Sequence, residues 1–400
     1  MAINKDKKLI SKTAEKPSWH LGIDATNIRQ GGGVTHLSQL LHSGDPKVAG
    51  FNRVTLWSCK STAALLPDFP WLFKRSAPWM EGALPLRLAA QQFCLRKELR
   101  SAGCDVLFSP GGTLPALCPV PAVTMSQNML PFEPSEAARF GRYSPMRLKM
   151  RLLRSAQVRS YRRADGIIFL TEYGAAAVSK ALGGEPHNMA LIPHGIEPRF
   201  IQTPRPQRRL EECSMLNPLR ILYVSILMPY KHQVQVAQAA NLLRSTGVPI
   251  EMRFIGPSWG EYGQKFRALL DELDPKQVFL HWSGAEPFGV LHNFYQNSDI
   301  FVFASSCENL PNILIEAMAA GLPIASSNRG PMPEVLGNAG VYFDPEVPAS
   351  IAEALRKLAL DAPLRANLAE LAWRKAQIYS WELCARDTFA FIARVKQDHH

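Results

Sequence analysis

Short, wholly apolar runs alternate with longer amphipathic stretches along this chain, and the alternation occurs twice with a break between. In the first half the strand-like runs are Trp19–Asp24, Val54–Ser58, Asp105–Ser109, Ala122–Ser126, Gly166–Leu170 and Ala190–Pro193. Helical spacing separates them at Val34–His42, Leu86–Ser101, Met146–Arg163 and Ala175–Leu182. In the second half the runs are Arg220–Ser225, Ile250–Ile255, Val278–Trp282, Ile300–Ala304 and Pro323–Ser326, with helices at Gln233–Ser245, Tyr262–Leu273, Phe288–Ser298 and Asn312–Ala320. A strand that is apolar throughout needs cover on both faces, which a parallel sheet flanked by helices supplies. The pattern therefore predicts an α/β chain with two Rossmann-like domains, and in such sheets ligands bind beyond the carboxyl ends of the strands. The expected site is the cleft between the domains.

A proline-rich stretch without periodicity, 202–218, reads as the linker. It divides a first domain, 17–201, from a second, 219–380. The helical tail beyond Ala349 is too long to cap one sheet, so the last segment, 381–400, is expected to return to the first domain.

At 400 residues the chain is long enough for two cores. Its net charge of +11 is unevenly placed. Residues 1–200 carry 26 basic and 14 acidic side chains, whereas residues 201–400 carry 19 and 20. Such asymmetry points to an anionic partner for the first half: nucleic acid, a membrane surface or a phosphorylated substrate. The seven cysteines are scattered without paired spacing, which argues against a disulfide framework or a zinc site and for reduced thiols. Met1–Lys16 is polar and Lys-rich, unlike a secretory signal. No apolar run approaches the ~20 residues of a membrane span, so a soluble or peripheral protein is expected.

Two loops attract attention. Gly31, Gly32 and Gly33 stand between the first strand and its helix, where bare backbone and a helix N-terminus can meet an anion. Their spacing matches neither a dinucleotide fingerprint nor a P-loop, and by themselves they fit an unoccupied loop equally well. The second loop follows Ile300–Ala304 and runs Ser305-Ser306-Cys307-Glu308-Asn309-Leu310-Pro311-Asn312 into a helix that holds Glu316. Glu316 sits among Leu314, Ile315, Ala317 and Met318, so its carboxylate needs partners: ligand hydroxyls, or the amides of a neighbouring loop.

Glu308 and Glu316, eight apart within this segment, resemble the paired-glutamate signature of the retaining glycosyltransferases of family 4, the group 1 glycosyltransferases of GT-B fold. Also similar to family elements are Arg220–His232 with Lys231, Gly330–Glu334, Ala339-Gly340 and Tyr379–Trp381. In the first half the glycine loop, Phe169–Glu172 and Ile192–Glu197 look similar too. The resemblance covers nearly all of the chain from Trp19 onward and implies two Rossmann-like domains facing across a cleft, the first binding acceptor and the second binding a nucleotide-sugar donor.

It also implies roles. Glu308 and Lys231 are the expected catalytic residues, with Lys231 on the diphosphate. Gly32 and Gly33 would approach it from the opposite domain. Glu308, Asn309, Leu310, Pro311 and Asn312 would hold the donor sugar, and Glu316 would take the ribose hydroxyls, since a carboxylate accepts several hydrogen bonds. No Asp-x-Asp pair is present, so neither a divalent metal nor any other cofactor is required. Chemistry of this type proceeds by attack on the leaving-group face, the departing phosphate taking the acceptor proton. Two departures stand out. Ser225-Ile226 occupies the position where the family has a phosphate-binding arginine, so either Lys231 and the glycine loop suffice or another cation such as Arg329 supplies the charge. Ser126–Pro131 replaces a His-Asp loop and offers only Gln127 and Asn128 on the acceptor side. His194 and His232 are expected to make structural hydrogen bonds.

From Arg139 to Arg163 nine basic residues run without an acidic one, among them Arg147, Lys149, Arg151 and Arg154. With Met146, Leu148, Met150, Leu152 and Leu153 interleaved, helical spacing would make an apolar stripe bordered by cations, suited to anionic lipid headgroups. The reading is a cytoplasmic enzyme, peripheral at the inner face of the plasma membrane. It would move a sugar from a nucleotide-diphosphate sugar to a lipid-linked or saccharide acceptor in O-antigen or lipopolysaccharide-like biosynthesis. The alternatives are another GT-B enzyme, such as a sugar-nucleotide epimerase or a phosphorylase, and a basic nucleic-acid-binding protein. For the last the chain lacks any recognisable helix-turn-helix, RNP or zinc pattern, so no nucleic-acid partner is expected.

Overall fold

The computed structural model describes residues 18–29, 31–258 and 260–399. The reading of Met1–Lys16 and the outermost residues of the first and last segments, 17 and 400, lie outside them. The chain forms two parallel sheets. The first holds β1 (Trp19–Asp24), β2 (Phe51–Trp57), β3 (Leu72–Arg75), β4 (Val106–Ser109), β5 (Ala122–Met125), β6 (Gly166–Phe169) and β7 (Met189–Leu191), ordered β3-β2-β1-β4-β5-β6-β7. The second holds β8 (Leu219–Val224), β9 (Ile250–Ile255), β10 (Leu280–Trp282), β11 (Ile300–Phe303), β12 (Ile324–Ser327) and β13 (Gly340–Phe343), ordered β10-β9-β8-β11-β12-β13.

Burial explains which strands the sequence announces. Every residue of β4, β5, β6, β11 and β12 is buried, because helices cover both faces. The strands that pattern alone does not reveal are edges: β3, which carries Lys74 and Arg75, and β13, most of which keeps some contact with solvent. An edge strand can do with cover on one side, so an apolar run need not mark it, although the other two edges, β7 and β10, do overlap such runs. The predicted helix over Leu86–Ser101 forms as Leu84–Ala90, a π-turn at Gln91–Leu95 and Arg96–Ala102. The helix predicted over Phe288–Ser298 opens as a 3-10 turn, Phe288–Val290, before Leu291–Gln296.

The segment 202–218 is pinned rather than loose. Arg208 pairs with Asp299 at 2.7 Å, and the fully buried Arg365 donates to Gln207 Oε1 at 3.2 Å and to the Arg208 carbonyl. The final helix, Trp381–Asp398, begins at Ser380, whose hydroxyl accepts the Leu383 N–H at 3.2 Å. It packs on β4, β5 and β6 and on the helix Gly32–Ser43 of the first domain. Two glycines permit that approach: a Cβ on Gly44 would stand 2.7 Å from Ala385 Cβ, and one on Gly166 2.8 Å from Val395 Cγ2.

The basic stretch does form a helix, Pro145–Tyr161, but its apolar residues do not make the single stripe expected. Met146, Met150 and Leu153, spaced four and three apart, turn inward, whereas Leu148 and Leu152 point outward at 60% and 64% exposure. At about 100° per residue these two sets lie on different sides of the helix. Among the described residues no helix is long and apolar enough to cross a membrane.

Candidate active site

Between the two sheets lies a cleft of about 740 Å³ lined by both domains. On the first-domain side, β1 ends in a turn that leads to Gly31 at φ 69°, a left-handed conformation that glycine adopts without a Cβ penalty. The helix Gly32–Ser43 starts there with no side chain capping it, so its first amides face the cleft. Gly31 and Gly32 line the cleft, while Gly33 stands behind them against Ile28 and Gln127.

On the second-domain side, β8 leads through Ser225 and Ile226 to a 3-10 turn, Pro229–Lys231, and β11 leads to Glu308. The tertiary fold joins these two loops: Lys231 Nζ donates to Glu308 Oε1 in an ion pair. Lys231 is only 6% exposed, and the Tyr230 and Phe303 rings flank its ammonium at 5.3 and 5.7 Å. Glu308 therefore lines the cleft and Lys231 stands behind it. An ammonium carries three donors, so a lysine that gives one to Glu308 keeps others for an oxyanion.

Glu316 projects from the helix Asn312–Ala319 into the same cleft and accepts the Tyr295 O–H at 2.9 Å. Burial pushes its carboxyl up to about 8; the Tyr295 hydrogen bond opposes the shift, Glu197 adds to it and Arg199 opposes it. The apolar wall beside it, Ile226, Ile255, Phe288 and Leu291, suits a flat ring. Gly256, at the end of β9, shapes this wall: at φ 143° a Cβ there would lie 2.0 Å from the Ser225 carbonyl oxygen.

Leu310, Pro311 and Asn312 line the cleft with Glu308, but the Asn309 side chain does not. It is buried, donating from Nδ2 to the Ser126 carbonyl at 2.7 Å and accepting from Thr171 Oγ1 at 3.4 Å, and so clasps the two domains. Gln127 bonds His36 Nδ1 at 3.2 Å, and Asn128 Oδ1 accepts the Leu130 N–H in its own turn at 3.1 Å. Neither is among the residues lining the cleft. Arg329 pairs with Asp344 at 2.9 Å and also does not line it; the cation that does, among the described residues, is Arg29. No sequence motif marks Arg29; its only signal was its place in the loop after the first strand.

The two histidines singled out earlier are structural. His194 Nδ1 meets Asn312 Oδ1 at 3.2 Å and His232 Nε2 meets Ser306 Oγ at 2.9 Å, and burial brings each down to about 4, so both are neutral at pH 7. His194 stacks on His36, with ring centroids 4.7 Å apart. Distant family-like segments also meet here. Glu334 accepts the backbone N–H groups of Glu172 and Tyr173 at 2.8 and 2.9 Å, and the Ile196 N–H reaches the Tyr379 carbonyl at 3.2 Å.

The chain matches two family models in succession. The one described as "Glycosyltransferase Family 4" covers residues 31–200, and the one described as "Glycosyl transferases group 1" covers 212–374. Among curated relatives, the O-antigen chain mannosyltransferase B of Escherichia coli is 31% identical over 172 residues, 42% of this chain and 44% of that protein. The D-inositol 3-phosphate glycosyltransferase of Paenarthrobacter aurescens is 23% identical over 215 residues, 52% of each. The chain thus spans about half the length of these relatives. Two solved structures share the fold along almost their whole length. WaaG, a glycosyltransferase involved in lipopolysaccharide biosynthesis, gives a TM-score of 0.67 at 17% identity over 93% of this chain and 99% of that one. HepE of Anabaena, in complex with UDP and glucose, gives 0.66 at 15% identity over 92% and 98%. With consecutive family models spanning both of its domains and its two sheets matching enzymes of that fold, the chain belongs to the group 1 glycosyltransferases and has their GT-B architecture.

Proposed function

We propose that the protein is a retaining, metal-independent glycosyltransferase that moves a sugar from a nucleotide-diphosphate sugar to a lipid-linked or saccharide acceptor in cell-surface polysaccharide or lipopolysaccharide assembly. The observation that carries the reading is the convergence of Glu308 with Lys231 behind it, Glu316, and the Gly31–Gly32 turn on one cleft. The UDP and glucose bound by HepE and the mannosyltransferase activity named for the Escherichia coli relative support the donor class.

In this reading the nucleobase lies on the apolar wall beside Gly256 and the ribose hydroxyls bind Glu316. The diphosphate meets Lys231 and the amides at the start of the helix Gly32–Ser43, which stabilise the charge developing on the leaving group. Glu308 accepts from a donor-sugar hydroxyl. The bond from the anomeric carbon to the phosphate oxygen breaks, the acceptor oxygen bonds to that carbon on the same face, and its proton passes to the departing phosphate. The test is a thermal-stability panel of UDP-, GDP- and TDP-sugars, followed by NMR of the product's anomeric configuration. An inverted product overturns the retaining assignment, and no stabilisation by any nucleotide sugar overturns the donor site.

The outward Leu148 and Leu152, set among Arg147, Lys149, Arg151 and Arg154, support a peripheral site on an anionic, cytoplasmic-side membrane.

A further inference from the structure

The carboxyl edge of the first sheet holds two guanidinium groups for which the donor reading has no use. Arg29, in the turn after β1, lines the cleft beside Leu65, and its Nη2 donates to the Met80 carbonyl at 2.5 Å and toward that of Gly82 at 3.5 Å. This anchors it on the short helix Pro78–Glu81, and the next helix, Leu84–Ala90, brings in Arg87. Arg87 is 7% exposed, yet its Nε and Nη1 have no hydrogen-bond partner. A buried guanidinium with open donors is costly to hold, because water's hydrogen bonds are lost without replacement. Burial, and then the Arg29 charge, lower its hold on its proton. Cys59 and then Glu81 oppose that lowering of Arg87 in part, and Glu81 is itself engaged, accepting the Lys60 N–H at 2.8 Å. Two aliphatic side chains on this side of the first domain stand exposed: Leu65, which lines the cleft with Arg29, and Leu86, the residue before Arg87 on its helix.

We propose that Arg29 and Arg87 form a subsite for a phosphoryl group carried by an acceptor whose apolar portion rests on Leu65 and Leu86. This rests on the glycosyltransferase reading and assigns its acceptor a chemical class. Guanidinium groups present planar, forked donors that match phosphate oxygens, and Arg87 has two such donors open. The source is the acceptor rather than the donor diphosphate, because Arg29 is held by the Met80 and Gly82 carbonyls and Arg87 comes from the next helix, so the pair belongs to the segment between β3 and β4, away from the Gly32 amides that the donor reading uses. Lys231, Glu308 and Glu316, in contrast, come from loops and a helix of the second domain.

The test uses the full chain saturated with whichever of UDP, GDP or TDP stabilises it. Octyl phosphate is the calorimetric probe, with octanol and inorganic phosphate as separate arms. Octyl phosphate is expected to bind the nucleotide complex more tightly than either arm. Arg87→Gln and Arg29→Gln should each weaken it at least about ten-fold, as expected for a lost charge-assisted contact. Arg87→Gln should leave nucleotide affinity within about two-fold of wild type, since it removes no donor contact. Arg29, at the solvent edge, keeps the test open if Arg87→Gln does not fold. Octyl phosphate binding that is absent, or equal in wild type and both variants, overturns the proposal. So does an Arg87→Gln protein whose nucleotide affinity falls as far as its octyl phosphate affinity, which would give the pair to the donor diphosphate. A wild type that binds no nucleotide at all overturns the donor-site reading itself, and the nucleotide arm alone registers that result.

Discussion

Replacing Glu316 with glutamine should stabilise the unliganded protein above neutral pH while weakening its hold on nucleotide. The folded protein holds the Glu316 proton up to about pH 8, against 4.5 for the ordinary carboxyl, because burial disfavours the charge. With the folded value the higher one, this group favours the folded state fully below about pH 4.5 and loses that effect as the pH rises through 8. Each pH unit across that window is worth about 1.4 kcal/mol, so the span has an upper bound of about 5 kcal/mol. Glu316 lines the cleft, and solvent screening there reduces the expected effect to about 2 kcal/mol. Glutamine cannot ionise, and its carbonyl oxygen still accepts the Tyr295 O–H, so the variant escapes the loss without opening a cavity. Urea denaturation of both proteins at pH 5.5, 7 and 8.5 reads the effect directly, with unchanged m-values as the control. The stability difference should widen in favour of Glu316→Gln as pH rises. Parallel curves, or a wild type that gains on the variant toward pH 8.5, would refute the burial argument. At pH 8.5, where Glu316 is ionised, nucleotide affinity should fall about ten-fold, because a carboxylate offers two accepting oxygens to a ribose diol where an amide offers one.

Three further outcomes follow from the same geometry. Lys231→Ala should lower kcat by roughly 10²–10³ through loss of charge at the leaving group, as read in a nucleotide-release assay. Because Lys231 is buried against Glu308, that variant should also lose about 3 kcal/mol of stability, most of it recovered in Lys231→Ala combined with Glu308→Gln; a singly substituted enzyme with wild-type turnover removes the lysine from the site. EDTA treatment should leave transfer unchanged, and an activity lost to chelation and restored by Mg²⁺ or Mn²⁺ would contradict the metal-free mechanism. Reversing Arg147, Lys149, Arg151 and Arg154 to glutamate should abolish flotation with anionic vesicles, since each cation near such a surface contributes about 1 kcal/mol, while the melting temperature stays near wild type.

The strands buried on both faces were legible as apolar runs: Trp19–Asp24 and Ile250–Ile255 match the folded β1 and β9 residue for residue. The edge strands Leu72–Arg75 and Gly340–Phe343 were not, since an edge satisfies burial on one side and tolerates charge on the other. In the site, Glu308, Glu316, Lys231 and the glycine turn were legible because each lies close to the carboxyl end of a strand and resembles a family motif. Gly256 had a weaker local signal, a glycine closing a strand, that passed unread. Arg29 had only its place in the loop after the first strand, and Arg87 and the clasp made by Asn309 had none. Each acts through a partner from 51 to 183 residues away, or through the lack of one, and local pattern carries no information at that range.

The order of apolar runs and helices determined by itself that this chain builds two parallel sheets, because strands covered on both faces have no other economical arrangement. The glutamate spacing likewise determined that one loop and the helix after it would carry two carboxylates to the same sheet end. Only the tertiary structure decided how those groups are used. It put Lys231 behind Glu308 and turned Gln127 toward His36 and Asn128 onto its own loop. It also split the leucines and methionines of Pro145–Tyr161 between two faces and brought Arg29 and Arg87, from the loops after β1 and β3, near enough to feel each other's charge. Most of these outcomes depend on contacts between segments far apart in the chain, whose energies exist only once each domain has packed its own strands and helices together.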